Sequence, residues 1–568
     1  MSKRFVLSFT LSLALALNST LLLGKTSIYA EDSETNNEAS LTSQENKNSK
    51  DKLKIKILGQ DGWRGKIRMT ERDRYSSWHA LDSLFDEFNL EPEFEIVARE
   101  QYRNTIQTRI ASSSNLPDFA DITPLGDASI LKMAKNGLIL PIDEAINKYS
   151  DGTAVKFFAK GSNLGDHSWA LSTAPDGHVY WLTQIQTTTY KDKLASTNYL
   201  TTIRKDWLDE LGLKVPETTD EFYNCLKQFQ ENDMNKNGIK DEVMSVDFSN
   251  FSNGLAQSFG LVFGLTNFII EDGNISEVTS PWHQSSIKDY FNYLIKLREE
   301  GLIDPTVIGA TEDNKNIENN KAAALVNYTM ASWDEAKVSS AKAYYYPLKP
   351  LSTELDSTPL LTIEPPRFVN YRHGFTSACQ NQEAIARLVD LLCSDKYIEL
   401  TQWGIEGETF EIKDGKKELL PITSTDAYEQ AYNEGKVLGD FLWTDGTLPK
   451  RRFVDISAEI EMIRKTFPEK AIVQEELLDS TYPQTVMGTE CYLPVLDDDT
   501  LELKLALSSD LTTRSKELAA NLILGEESMD DFDILVEELD ELGLKKLLEI
   551  ENQRLDRAKE LGIIEMMK

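Results

Sequence analysis

The run Asp233-Met234-Asn235-Lys236-Asn237-Gly238-Ile239-Lys240-Asp241-Glu242 carries the most specific chemistry in the chain. Asp233, Asn235, Asn237 and Asp241 take positions one, three, five and nine of a loop whose sixth residue, Gly238, permits a sharp turn. Alternate spacing brings their oxygens toward one point. A hard cation of calcium's size takes about six to eight oxygens, a number that Asp233, Asn235, Asn237, the Ile239 carbonyl, Asp241 and Glu242 can approach. Position twelve is Met244 where a bidentate Glu is usual, so Glu242 is expected to take over that work. The competing reading is a polar Asn/Gly turn that binds nothing. A cation enclosed by protein oxygens has no open position for substrate or activated water, so the expected Ca2+ is structural.

The elements that must hold this loop are legible from periodicity. Thr218 and Glu221 form a capping box, and Phe222, Leu226 and Phe229 make the buried stripe of a helix leading into Asp233. Upstream, Leu53, Ile55 and Ile57 alternate as in a strand, while Trp78, Leu81, Leu84, Phe85 and Phe88 recur at helical spacing. Phe94, Ile96 and Ala98 alternate again, Tyr102, Ile106 and Ile110 step by four, and a short apolar run follows Pro117. This βαβαβ order predicts a mainly parallel sheet covered on both faces, with ligands bound at the carboxyl ends of its strands. A second α/β region begins near Asn198, with a strand at 199–203 and a helix through Trp207 and Leu211. From Leu501 onward the pattern is helical, with acids on the outer face.

A length of 568 residues predicts two or more domains. The net charge of -33 argues against nucleic acid and anionic lipid surfaces as partners. Residues 1–30 read as an export signal: Lys3 and Arg4, an apolar stretch from Phe5 to Gly24, then Ser27-Ile28-Tyr29-Ala30. Residues 31–51 have little to bury and read as a disordered linker. The four cysteines, Cys225, Cys379, Cys393 and Cys491, show no metal or redox spacing and are expected to be free. No GxSxG or HExxH motif occurs, and His79, His167, His178, His283 and His373 lack ligand spacing. A glycosidase needs only two carboxylates, so composition alone leaves hydrolysis open. The segment Gly59 to Lys66 departs from a phosphate loop in glycine spacing and in having Ile67 where Ser or Thr would bind magnesium.

Several segments carry a further signal: Asn115-Leu116-Pro117-Asp118, Asn136 to Glu144, Asp176-Gly177-His178-Val179-Tyr180, Ile203 to Leu213, and Trp403 to Phe410. Together with the Asp233 loop they resemble extracellular solute-binding proteins of carbohydrate ABC importers, in the long, calcium-loop-bearing branch that includes alginate-oligosaccharide receptors. The resemblance implies an α/β, two-lobed periplasmic-binding-protein-like fold (type II) with a helical C-terminal region. It places lobe one at 52–177 and 346–394, and lobe two at 178–345, with the 233–242 loop, and at 395–568. It also implies a non-enzymatic receptor that captures a sugar or oligosaccharide between the lobes, acts with ABC permease subunits, and is expected to be a monomer. The first cysteine is Cys225, so the lipid-modified Cys of many relatives is not expected; a secreted, cell-surface or periplasmic location follows.

Sugars have flat apolar faces rimmed by hydroxyls and call for aromatic platforms flanked by carboxylates, amides and Arg. The candidates are Trp63 and Arg64 after the first strand, Tyr75, Trp78, Trp181 near a lobe crossing, Trp333 and Asp334 after a strand-like stretch, Arg372, and Trp403. Each has a packing alternative, and Trp207, in phase with Leu208 and Leu211, is assigned to the core. Two other functions compete: a secreted polysaccharide-degrading enzyme and a calcium-stabilised surface adhesin.

Overall fold

The computed structural model describes residues 51–60, 76–162, 164–191, 193–194, 200–245, 253–262, 264–271, 274–308, 315–327, 336–337, 342–343, 345–355, 357–363, 371–420, 447–449, 451–457, 460–461, 464, 468–480, 482, 484–486 and 493–563. The βαβαβ pattern is realised by strands Leu53–Gln60, Leu90–Val97 and Phe119–Asp121, with helices Ser76–Glu87 and Arg99–Ser112 between them. Leu53–Gln60 lies parallel to both other strands. Two strands from distant sequence complete the sheet: Arg372–Phe375 runs antiparallel to Phe119–Asp121, and Leu182–Thr183 antiparallel to Arg372–Phe375.

Both faces of this first sheet are covered. Ile57 and Phe119 pack with Trp78, Leu81 and Phe85, while their neighbours Leu58 and Ala120 pack with Tyr102, Ile106 and Ile110 on the other side. The two-residue period of a strand sends adjacent side chains to opposite faces, so a sheet buried on both sides needs apolar residues at consecutive positions. Helices Gln382–Cys393 and Asp395–Trp403 cover the first of these faces, with Leu388, Leu392, Tyr397 and Leu400 in its core.

A second sheet has the order Tyr345–Pro347, Leu200–Arg204, Ala322–Asn327, Val243–Ser245. Its core joins Ile203, Phe222, Phe229 and Ala324 to residues of the C-terminal helices, among them Leu511, Leu518, Leu522, Leu539 and Leu547. The helix Asp498–Leu524 has 27 residues and is therefore roughly 40 Å long. Its first turns pack Leu501 against the Tyr102 face of the first sheet, and Lys135 pairs with Asp498 at 2.5 Å. Sequence-based limits put 346–394 in the first lobe and 395–568 in the second. Here Tyr345–Pro347 pairs with Leu200–Arg204, whereas Tyr397, Leu400 and Leu501 pack on the first sheet. A three-residue strand and a helix serving two cores leave no compositional break that would mark such limits.

Candidate functional site

The first sheet's parallel strands end at Gln60, Val97 and Asp121, the edge where open α/β sheets receive ligands. Antiparallel pairing brings Arg372 and Thr183 to the same edge. Thr447, from far along the chain, sits over the end of the first strand: its hydroxyl accepts the Gln60 N–H at 3.3 Å. Gly59 permits this close approach: a Cβ would lie 2.7 Å from the Ile96 side chain and 2.8 Å from that of Thr447, and one of them would have to shift.

Asp121 is buried and accepts both the N–H, at 2.9 Å, and the hydroxyl of Thr123. Burial pushes its carboxyl up to about 6, against the opposing pull of the Thr123 hydrogen bonds and the Arg372 charge. Arg372 forms a fork on Asp127, with Nε 2.6 Å from Oδ1 and Nη2 donating to Oδ2 at 2.7 Å. Its guanidinium also lies 5.8 Å from the Trp181 ring centre. Its backbone is fixed on both sides: the N–H donates to Thr123 Oγ1 at 2.6 Å, and the carbonyl accepts from Ile122 N at 2.7 Å. Immediately before it, partly exposed Tyr371 has a φ of 67°, with its ring centre 6.5 Å from that of His373. The result is a rigid edge bearing an aromatic ring beside an engaged Arg/Asp pair.

The structure treats the sequence candidates unevenly. Trp63, Arg64, Tyr75, Trp333 and Asp334 lie outside the described residues. Trp78 and Trp181 are each 1% exposed, which corrects their assignment as platforms, since a ring enclosed on both faces has none to offer a sugar. Trp78 meets Phe94 edge-on at 5.7 Å, and Trp181 packs beneath Arg372. Arg372 does reach the ligand edge, already paired. Trp403 is tied to the hairpin formed by Phe410–Lys413 and Lys416–Leu419, with Phe410 at 5.9 Å and Lys417 Nζ at 5.7 Å from its ring. Gln60, Asp121, Thr123 and Tyr371 were missed by reasoning from aromatic content. The carboxyl-end rule applied to strands Leu53–Gln60 and Phe119–Asp121 would have flagged the first three; Tyr371 has no periodic signal.

The Asp233 loop lies at the amino end of strand Val243–Ser245, opposite the carboxyl ends of that strand and of its parallel neighbour Ala322–Asn327. Gly238 takes φ 83° and Asp233 φ 46°, as the turn requires. Its oxygens already receive internal donors. Asp233 accepts from Asn237 N at 3.1 Å and Gly238 N at 2.9 Å, and Asn237 Oδ1 accepts from Ile239 N at 2.7 Å. Asp241 accepts the Asn235 and Asn237 amides, both at 2.9 Å, and pairs with Lys321 at 2.6 Å. Burial raises the Asp241 carboxyl, but Lys321 and the two amides outweigh it and hold the group below its ordinary range.

Among the described residues no group of three His, Cys, Asp or Glu side chains forms a ready metal cluster. One atom nevertheless has the chemistry of a cation ligand. Glu242 is fully buried; its Oε1 accepts from Asn235 N at 3.0 Å, while Oε2 has no hydrogen-bond partner. Burial, with Asp241 and Asp233 nearby, raises its pKa. An all-oxygen donor set beside an unsatisfied carboxylate oxygen suits a hard cation. Exposed Ile239, expected to contribute its carbonyl, holds the rim of the loop.

A model of bacterial extracellular solute-binding proteins matches residues 71–399. The chain belongs to this family. One solute-binding relative, the fructooligosaccharide ABC transporter substrate-binding protein FusA of Streptococcus pneumoniae, is 24% identical over 463 residues, covering 78% of this chain and 81% of that protein. Two solved solute-binding structures share the fold over 89% of this chain and 99% of theirs. They are S. pneumoniae FusA as an EF-hand mutant in complex with fructo-nystose (TM-score 0.64, 20% identity) and the alginate-binding protein AlgQ2 without calcium ion (TM-score 0.60, 19% identity). Members of this extracellular family are binding proteins. No helix among the described residues is long and apolar enough to cross a membrane.

Proposed function

We propose that this chain captures an oligosaccharide between two lobes, one built on each sheet, and presents it to the permease of an ABC importer without altering it. The observation that carries this reading is the likeness to the fructooligosaccharide-binding relative, which extends over most of both chains. The first sheet supports it with a carboxyl edge of amide, hydroxyl, carboxylate and aromatic groups, the set that recognises hydroxyl-rich ligands. Asp121 is engaged by Thr123 and Asp127 by Arg372, so both carboxylates serve to hold the edge rather than to act as a free acid or base. Sugar that touches both lobes binds the closed state better than the open one and thereby shifts the population toward closure. Trp63, Arg64, Tyr75, Trp333 and Asp334 are retained as contacts of this site.

Ca2+ is assigned to Asp233, Asn235, Asn237, the Ile239 carbonyl, Asp241 and Glu242, and its role to stability. The fit rests on the unsatisfied Glu242 oxygen, and it agrees with FusA having been solved as an EF-hand mutant and AlgQ2 without calcium ion. The loop's position at the amino end of its strand favours bracing over ligand contact.

Isothermal titration with kestose, nystose, an alginate trimer and an oligogalacturonate, followed by chromatography of the recovered sugars, tests the proposal. Saturable binding of at least one with full recovery is expected. Cleavage would establish the enzyme reading, and no binding to any would return the adhesin.

A further inference from the structure

Tyr371 has a backbone conformation that its residue type resists. Among the described residues, non-glycine positive φ angles occur at Asn89, Ser113, Asn115, Lys191, Asp233, Lys236, Asn320, Tyr371 and Asp414. Asn and Asp adopt this region with least penalty, whereas for a bulky side chain it is a true outlier. Tyr371 is the one aromatic in the set, and it opens a strand interior to the first sheet. Were the position needed only to turn the chain, Gly or Asn would do so with less strain.

Hydrogen bonds to Arg372, the next residue, over-determine this conformation. The Arg372 N–H is held by Thr123 Oγ1, whose own proton goes to buried Asp121; the Arg372 carbonyl is held by Ile122 N, and its guanidinium by Asp127. Strain maintained by a surrounding network of this kind concentrates at ligand clamps. The ring leans on His373 at 6.5 Å and 41°, and His373 in turn stacks on Phe119 at 5.8 Å and 20°. The chain thus spends backbone strain to keep a partly exposed aromatic at the carboxyl edge of the sheet, on a rigid support.

We propose that Tyr371 is a stacking platform for a pyranose or furanose ring of the bound oligosaccharide, positioned by the Asp121–Thr123 and Asp127–Arg372 pairs. This rests on the receptor reading above. The apolar C–H face of a sugar ring matches the face of the phenol, and a platform fixed in advance loses little freedom on binding.

The test compares Tyr371→Gly and Tyr371→Phe with the native chain by thermal melting without ligand and by titration with kestose. Expected is a Tyr371→Gly melt at or above the native one, because the strain is released, with kestose affinity reduced about tenfold or more, on the scale known for aromatic stacking on nucleic-acid bases. Tyr371→Phe keeps both properties. Unchanged kestose affinity in Tyr371→Gly overturns the proposal, and so does a clearly lower melt, which would make the ring a packing element on His373. Should the native chain fail to bind kestose, the fructo-oligosaccharide form of the receptor reading falls on that result alone. The ligand-free melts still bear on Tyr371: a lower melt overturns the proposal, and an equal or higher one supports a strained position that is not kept for packing.

Discussion

Replacing Glu242 by Gln should change the sign of its effect on stability according to whether calcium is present. Without the cation, the native chain buries a fully enclosed carboxylate with one oxygen lacking any hydrogen-bond partner. An unsatisfied buried polar group costs about 1–3 kcal/mol, and more when it carries charge. The amide removes that charge and retains an oxygen for the Asn235 N–H that now reaches Glu242 at 3.0 Å. In chelator, Glu242→Gln should therefore melt at or above the native chain. With calcium at about one hundred times its dissociation constant, the native chain gains about 2.7 kcal/mol from binding, whereas the variant, with a weaker ligand in the position that substitutes for the missing twelfth-position Glu, gains less. Differential scanning calorimetry with and without calcium reads both. Native melts that coincide in chelator and calcium, with the variant lower in both, would refute the reasoning and leave Glu242 as an ordinary loop brace.

Asp121→Asn should flatten the pH dependence of stability. The folded carboxyl is raised from 3.8 to about 6, so the stability it contributes is complete below about pH 4 and is lost as pH rises through 6. Two pKa units correspond to about 3 kcal/mol, to be read from urea melts at pH 4 and 7; an unchanged slope between these pH values would contradict it. Asp390 is fully buried and accepts Ser150 Oγ at 2.6 Å, Asp151 N at 2.9 Å and Ala154 N at 3.0 Å. Asp390→Ala should cost about 3 kcal/mol in urea unfolding while leaving kestose affinity unaltered; a stability loss under 1 kcal/mol would show that water replaces these bonds.

The first α/β unit was legible because its periodicities do not conflict: Leu53–Gln60 alternates and Tyr102, Ile106 and Ile110 step by four, so local pattern and burial agree. The capping box at Thr218 and Glu221 was equally clear and starts the helix that carries the loop. Periodicity gave no sign of the return of Arg372–Phe375 to the interior of the first sheet; only the family resemblance had put 346–394 in the first lobe. Antiparallel insertion of four residues from more than two hundred positions away leaves no local trace. Aromatic identity likewise did not separate platform from core. Trp78 was in phase with a helical stripe, which correctly pointed inward, while Trp181 lay in no pattern that disclosed its burial under Arg372. Tyr371 escaped because its signal is a dihedral angle, not a residue spacing.

The loop lies at the amino end of its strand and the proposed sugar edge at the carboxyl ends of the first sheet, so calcium and sugar should act on different properties: one on melting temperature, the other on the relation between the lobes. Small-angle scattering of the calcium-loaded chain with and without a saturating oligosaccharide found by titration tests the central claim most directly. A smaller radius of gyration on binding, reversed on removal of an unmodified sugar, is the result predicted for capture by closure. An unchanged radius at saturation, or recovery of shortened sugar, would contradict it.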